Sequence, residues 1–183
     1  MLDEIKQLDK KYYMNTFGER LNVCFERGRG IKLYADDGRV FNDFLGGIAV
    51  TALGHSHEGF ISSLKKQIDK VIHTSSLYYI ENQARLAEKL VQNTCADKVF
   101  FANSGAEANE GAMKLAKIYH YKKNSGRYEI ITLDHSFHGR TLATVAATGQ
   151  EKYQKPYYPL LEGVKQVLPN DIEALKKAIG SKT

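Results

Sequence analysis

From residue 99 onward, short apolar runs alternate with longer segments of helical periodicity. The runs fall at 99–101, 128–133 and 164–168, and the helical patterns at 106–121, 141–147 and 172–179, the last stopped at Gly180. This order constrains the chain more than any other feature. Strands separated by a helix pair most readily in parallel, each returning through a crossover. The expectation is therefore an α/β fold with a mostly parallel sheet and crossover helices. Sheets of this kind bind ligands beyond the carboxyl ends of their strands, where the loops 103–106 and 136–140 both fall.

The preceding residues read differently. Residues 3–13 carry a helical pattern, and 15–29 carry none. The stretches 30–35 and 39–44 alternate apolar with polar residues across Asp36-Asp37-Gly38, the pattern of a β-hairpin with glycine at its turn. Residues 44–54 are apolar, uncharged and broken by glycine, which predicts a buried strand or packed loop; Gly46-Gly47 marks a close approach of another backbone or a ligand. Three amphipathic helices are expected, with inward faces at Phe60, Leu64, Ile68 and Val71, at Ala84, Ala87, Leu90 and Val91, and at Ala112, Leu115, Ala116 and Tyr119.

A 183-residue chain with 43% hydrophobic residues suffices for an ordinary domain with a core. Its net charge of +5 is dispersed, and the densest basic groups are pairs such as Lys65-Lys66, Lys122-Lys123 and Lys176-Lys177, which suit solvated helix faces and argue against nucleic acid as a partner. Cys24 and Cys95 lack any ligand spacing, so no metal site or disulfide framework is indicated, and a structural role is preferred for His55 and His57. No apolar run has the length of a signal core or a membrane span, which sets the expectation of a cytoplasmic protein without a membrane partner.

The run at 99–101 turns through Asn103-Ser104-Gly105-Ala106 into a helical pattern. A strand feeding a helix leaves the first amides of that helix unpaired at the positive end of its dipole, where an anion is favoured, and Gly105 permits close approach. Ser104-x-x-Glu107 is equally a capping box that satisfies amides without a ligand. From this stretch alone the cap is the simpler reading.

Three ordered segments, FLGGIAVTALGH at 44–55, NSGAEANE at 103–110 and SFHGRT at 136–141, together resemble the N-terminal part of the class III pyridoxal-phosphate-dependent aminotransferases. The likeness runs from about residue 31 to the end of the chain. It implies the first part of a fold-type-I large domain, and so a division into 1–56, an N-terminal segment with the hairpin, and 57–183, an incomplete large PLP-binding domain; it also implies pyridoxal 5'-phosphate as cofactor, amino-acid and 2-oxo-acid substrates, and a homodimer. Gly105 and Ala106 are then expected to hold the coenzyme phosphate through backbone amides. Threonine is usual after that glycine, so Ala106 removes a hydroxyl contact. Phe137 is expected against the pyridine ring, and Arg140 to bind the substrate carboxylate through paired donors. From the residues alone, Phe137 reads as core and Arg140 as a surface ion pair.

The tyrosine that ornithine aminotransferases place at the position of Ile48 is replaced here by an apolar side chain. That suits a neutral N-acylated substrate better than a free ammonium. The resemblance thus implies transfer of the terminal amino group of N-acetylornithine to 2-oxoglutarate, with ornithine, succinylornithine or another ω-amino donor as alternatives. In the family, the Schiff-base lysine and the carboxylate that pairs with the pyridinium lie further along than residue 183, and no lysine here stands in that context. The expectation is an N-terminal portion without catalytic residues of its own, inactive alone; the alternative of another class is a non-catalytic binding or assembly module.

Overall fold

The computed structural model describes residues 1–183. They form two compact units, Met1–Ile80 and Glu81–Thr183. The first contains α1 (Leu2–Tyr12), β1 (Phe25–Arg29), β2 (Lys32–Ala35), β3 (Val40–Asn42), the short α2 (Gly46–Ala49) and α3 (Glu58–Ile68). The helix α3 groups with the hairpin in the first unit. That hairpin is β2 and β3, paired antiparallel with Leu33 opposite Phe41 and Tyr34 opposite Val40. Gly38 adopts φ +85° in its turn, where only glycine is free of a Cβ penalty.

The strand β1 lies within 15–29, where the sequence shows no pattern. It pairs antiparallel with β2 through an irregularity between Phe25 and Arg27. The Phe25 ring meets Phe41 edge-on at 5.5 Å, and the Arg27 guanidinium lies 3.6 Å over Tyr34. Because β1 is largely exposed and irregular in register, it has no buried face to impose alternation.

The segment 44–54 is neither a buried strand nor a packed loop. Gly46, Gly47, Ile48 and Ala49 all have positive φ, and Phe44, Ile48 and Val50 are exposed. Asp43 holds both ends of this apolar excursion. Its Oδ1 accepts from the Leu45 and Gly46 amides at 3.1 and 2.8 Å, and its Oδ2 lies 2.7 Å from His55 Nε2. His55 is therefore an anchor, and His57 caps α3 by accepting from the Phe60 amide at 3.2 Å.

The second unit contains α4 (Glu81–Gln92), α5 (Gly105–Lys122), β4 (Ile130–Leu133), α6 (Leu142–Ala147), α7 (Glu151–Gln154), a 3-10 turn at Lys155–Tyr157, β5 (Val164–Val167) and α8 (Ile172–Ala178). The strands β4 and β5 pair in parallel, from Ile130 opposite Val164 to Leu133 opposite Val167, with α6 and α7 in the crossover. The expected larger parallel sheet is reduced to these two strands. Residues 99–101 form no strand, because a strand is defined by its pairing and none lies beside them.

The core of this unit is α6 and the turn after it. Thr144, Val145, Ala146, Ala147 and Thr148 are all buried, with Val167 of β5. The final carbonyls of α6 have no acceptor role within the helix, so side chains take them. Gln154 Nε2 donates to the carbonyls of Thr148, Ala146 and Val145 at 2.8, 3.2 and 3.4 Å; Gln166 Nε2 reaches the Ala146 carbonyl at 2.8 Å and Thr132 Oγ1 the Ala147 carbonyl at 2.7 Å.

The helix faces differ from the expected ones. Phe60, Leu64, Ile68 and Val71, Ala84 and Leu90, and all of Ala112, Leu115, Ala116 and Tyr119 are exposed. Periodicity identifies an apolar stripe, and burial requires something to cover it; these stripes are uncovered except at Ala87 and Val91 of α4, which are half-buried. No helix is long and apolar enough to cross a membrane.

Two outcomes are expected. Gln154→Leu removes one donor from each of the Val145, Ala146 and Thr148 carbonyls, which keep the Thr148 amide, Gln166 Nε2 and the Gln150 amide respectively, and lowers stability by about 1 kcal/mol, read by urea denaturation. His55 and the two amides hold the Asp43 carboxyl below its ordinary value of 3.8. A depressed carboxylate stabilises the fold above its unfolded pKa, and that contribution is lost as pH falls through the folded value. The melting-temperature difference between the wild type and Asp43→Asn is therefore greatest near neutrality and shrinks as pH drops below 3.8. A difference independent of pH would contradict the anchoring role.

Candidate functional site

Ser104 caps α5: its Oγ accepts from the Glu107 amide at 3.2 Å, and its carbonyl accepts from the Ala108 amide at 3.0 Å. The Glu107 carboxylate reaches back to the Asn103 amide at 2.6 Å, one residue before the cap. This is the capping box in a displaced form. It occupies the amides of Asn103, Glu107 and Ala108, while Gly105 and Ala106 open the helix, where geometry provides no intrahelical acceptor. A Cβ on Gly105 would meet nothing within 4 Å. Cap and anion cradle are thus compatible: the side chains organise the helix end, and the amides of Gly105 and Ala106 remain at its positive pole.

The loop 134–141 leaves the carboxyl end of β4 and is held from two sides. On one side, the His135 amide donates to the Gly149 carbonyl at 2.6 Å, Gln150 Nε2 to the Ser136 carbonyl at 2.9 Å, and the His138 amide to Thr148 Oγ1 at 2.9 Å. On the other side stands α5. Asn109 Nδ2 donates to the His138 carbonyl at 2.8 Å, and Thr141 Oγ1 donates to Glu110 Oε1 at 2.5 Å. Between these bonds Gly139 lies so close that a Cβ built on it would stand 2.7 Å from the Ala106 Cβ and 2.7 Å from Thr144 Oγ1, and its φ of +137° is itself a glycine conformation.

The contact between Gly139 and Ala106 brings the start of α5 against the loop that carries Phe137 and Arg140. Phe137 is 58% exposed, so it is a surface ring rather than core. Arg140 is exposed and takes part in none of the ion pairs, contrary to the ion-pair reading. Its guanidinium instead lies 3.8 Å from the centre of the Tyr153 ring and 5.2 Å from that of Phe137. The two rings meet near-perpendicularly at 6.5 Å. Lys152, and secondarily Arg140, hold the Tyr153 phenol below its ordinary value of 10.0. The result is a helix start with free amides, an exposed aromatic face and a guanidinium without a protein carboxylate. Such a surface is suited to a ligand bearing anionic groups beside a flat ring.

Sequence reasoning missed Asn109, Glu110, Thr141 and Tyr153. For the first two a signal existed. Ala106, Asn109 and Glu110 stand at i, i+3 and i+4, so they share one helix face with the helix start, and a polar pair there marks a face turned toward polar backbone. Tyr153 carried none, because its approach to Arg140 depends on the turn between α6 and α7. On the first unit, Ile48 is 80% exposed on the positive-φ turn.

The family model for class-III aminotransferases matches residues 13–182. Over 172 residues, or 93% of the chain, the sequence is 49% identical to the acetylornithine aminotransferase of Caldanaerobacter subterraneus subsp. tengcongensis, and over 178 residues, or 96%, it is 50% identical to that of Methanocaldococcus jannaschii. The chain spans 44% of the length of each. Among solved structures, the adenosylmethionine-8-amino-7-oxononanoate aminotransferase of Methanocaldococcus jannaschii matches at a TM-score of 0.87 with 29% identity, over 95% of this chain and 42% of that one. The ornithine aminotransferase of Toxoplasma gondii matches at 0.89 with 22% identity, over 97% and 42%, a likeness of fold. The sequence and its fold agree, and the chain belongs to the class-III aminotransferase family.

Proposed function

We propose that the protein carrying this chain transfers the terminal amino group of N-acetylornithine to 2-oxoglutarate, using pyridoxal 5'-phosphate. The observation that carries the reading is the joining of the α5 start to the Phe137–Arg140 loop through Gly139, Asn109 and Glu110. The relatives near 50% identity, which are acetylornithine aminotransferases, support the choice of substrate.

The residues fit the coenzyme. In this reading the Gly105 and Ala106 amides hold its phosphate at the helix dipole's positive end, with open space where a Gly105 side chain would stand. Phe137 lies along its ring and orients it. The coenzyme, when bound, supplies the electron sink that makes amino transfer possible. Arg140 offers two parallel donors to the substrate carboxylate. By family likeness, the apolar Ile48 at the position where ornithine aminotransferases carry a tyrosine suits an acylated nitrogen better than a free ammonium, whose unpaired burial is costly. The chain contributes binding and orientation, and no lysine within 1–183 is assigned the covalent role. A homodimer is part of the same proposal by family likeness.

Gly105→Pro tests the phosphate assignment. Proline is tolerated at the first helical position, and Ser104 already has the extended backbone, φ −151° and ψ 161°, that a following proline requires. The substitution therefore removes one amide donor and spares the helix. Coenzyme affinity is expected to fall roughly tenfold or more, the loss of one charge-assisted hydrogen bond, with an unchanged far-ultraviolet spectrum. Undiminished affinity would remove Gly105 from the phosphate site.

Substrate choice is tested by kcat/KM on the protein expressed from its complete reading frame. N-acetylornithine is expected to exceed ornithine, and Ile48→Tyr to narrow the ratio by about tenfold. A wild-type preference for free ornithine would overturn the reading.

A further inference from the structure

We propose that Tyr153 is the positioning residue for Arg140, carrying the guanidinium on its ring so that the in-plane N–H donors stay uncommitted to any protein carboxylate. The inference rests on the assignment of Arg140 to a substrate carboxylate and adds the residue that makes that role physically available.

An exposed arginine has two ordinary ways to lose its rotamer freedom. An ion pair fixes it but spends the same in-plane donors that a ligand carboxylate needs. A stack on an aromatic face fixes it through the π-surface and leaves the fork open. Arg140 takes the second course. It lies 3.8 Å over Tyr153 and 5.2 Å from Phe137, and it alone among the stacked cations of the chain lies against two rings. The 78° angle between those rings gives the guanidinium a corner rather than a single plane.

Tyr153 is itself held. Its amide donates to the Gln150 carbonyl at 3.0 Å, and the adjoining Gln154 is bonded into the buried end of α6. The ring is thus referenced to the core, whereas Arg140 is exposed at the end of its loop. Lys152 also approaches the Tyr153 ring, at 4.7 Å, adding positive charge beside the same surface.

The test is a double-mutant cycle on the coenzyme-loaded protein from its complete reading frame, with 2-oxoglutarate as the probe and calorimetry as the readout. Tyr153→Leu is expected to weaken binding about tenfold, and Tyr153→Phe, which keeps the ring, by less than about twofold. In an Arg140→Ala background, Tyr153→Leu adds nothing. A second readout needs no ligand: in the unliganded protein the Arg140 side-chain N–H resonance carries an upfield ring-current shift, kept by Tyr153→Phe and lost in Tyr153→Leu. If the leucine variant does not fold, Tyr153→Met takes its place, and the wild-type shift stands as a measurement without any variant. An equal loss from Tyr153→Leu with and without Arg140, an equal loss from phenylalanine and leucine, or an absent shift would overturn the inference. If Arg140→Ala leaves 2-oxoglutarate binding unchanged while the shift is present, the stack stands and the carboxylate assignment of Arg140 fails.

Discussion

The approach of Gly139 to Ala106 is the constraint on which the candidate site depends. A side chain at 139 would stand 2.7 Å from both the Ala106 Cβ and Thr144 Oγ1, distances that real carbons do not adopt. The loop would then lift from α5. Lifting it would break the Asn109 bond to the His138 carbonyl and the Thr141 bond to Glu110, and with them the placement of Phe137 and Arg140 beside the helix start. The second pin is Thr148. Fully buried, it accepts from the His138 amide while donating to the Thr144 carbonyl, so the loop is tied to the core through one hydroxyl. Preorganisation of this kind is what a binding surface needs if its ligand is not to supply the ordering entropy.

The segment after Asp43 solves a different problem. Ile48 and Ala49 adopt φ +62°, a conformation costing roughly 1–2 kcal/mol for each residue with a Cβ. A β-branched residue there is a pronounced exception. The local cost is offset by Asp43, which accepts two amides at the entrance and meets His55 at the exit, and by the His55 backbone, which exchanges hydrogen bonds of 2.8 Å with Gly30. Gly28 leaves room for that imidazole, since a Cβ there would stand 2.6 Å from its carbons. The strained turn displays Ile48 instead of burying it.

Much of the fold was legible because its cause is local. The hairpin followed from alternation around a glycine turn, and the start of α5 from Ser104, which accepts an amide three residues on. Helices α1 and α5 appeared close to their expected limits because periodicity and breakers act within a few residues. What failed depended on partners. Residues 99–101 have the composition of a strand and no strand to pair with. The stripe of Ala112, Leu115, Ala116 and Tyr119 has the period of a buried face and remains open, while the half-buried positions of α5 include Ala106, Asn109, Glu110 and Met113. Strand β1 failed in the opposite sense, gaining its place from β2 without a pattern of its own.

The amino-acid sequence by itself determined the hairpin, the capped start of α5, and the three ordered segments that carry the family likeness. All of these rest on neighbours along the chain, whose chemistry is fixed when the residues are joined. Only the tertiary structure decided that Arg140 stacks on Tyr153 instead of pairing with an acid, and that Asn109 and Glu110 hold a loop about thirty residues away. Those outcomes turn on distances between remote residues, set by a glycine that lets two backbones meet and by buried carbonyls that must find donors.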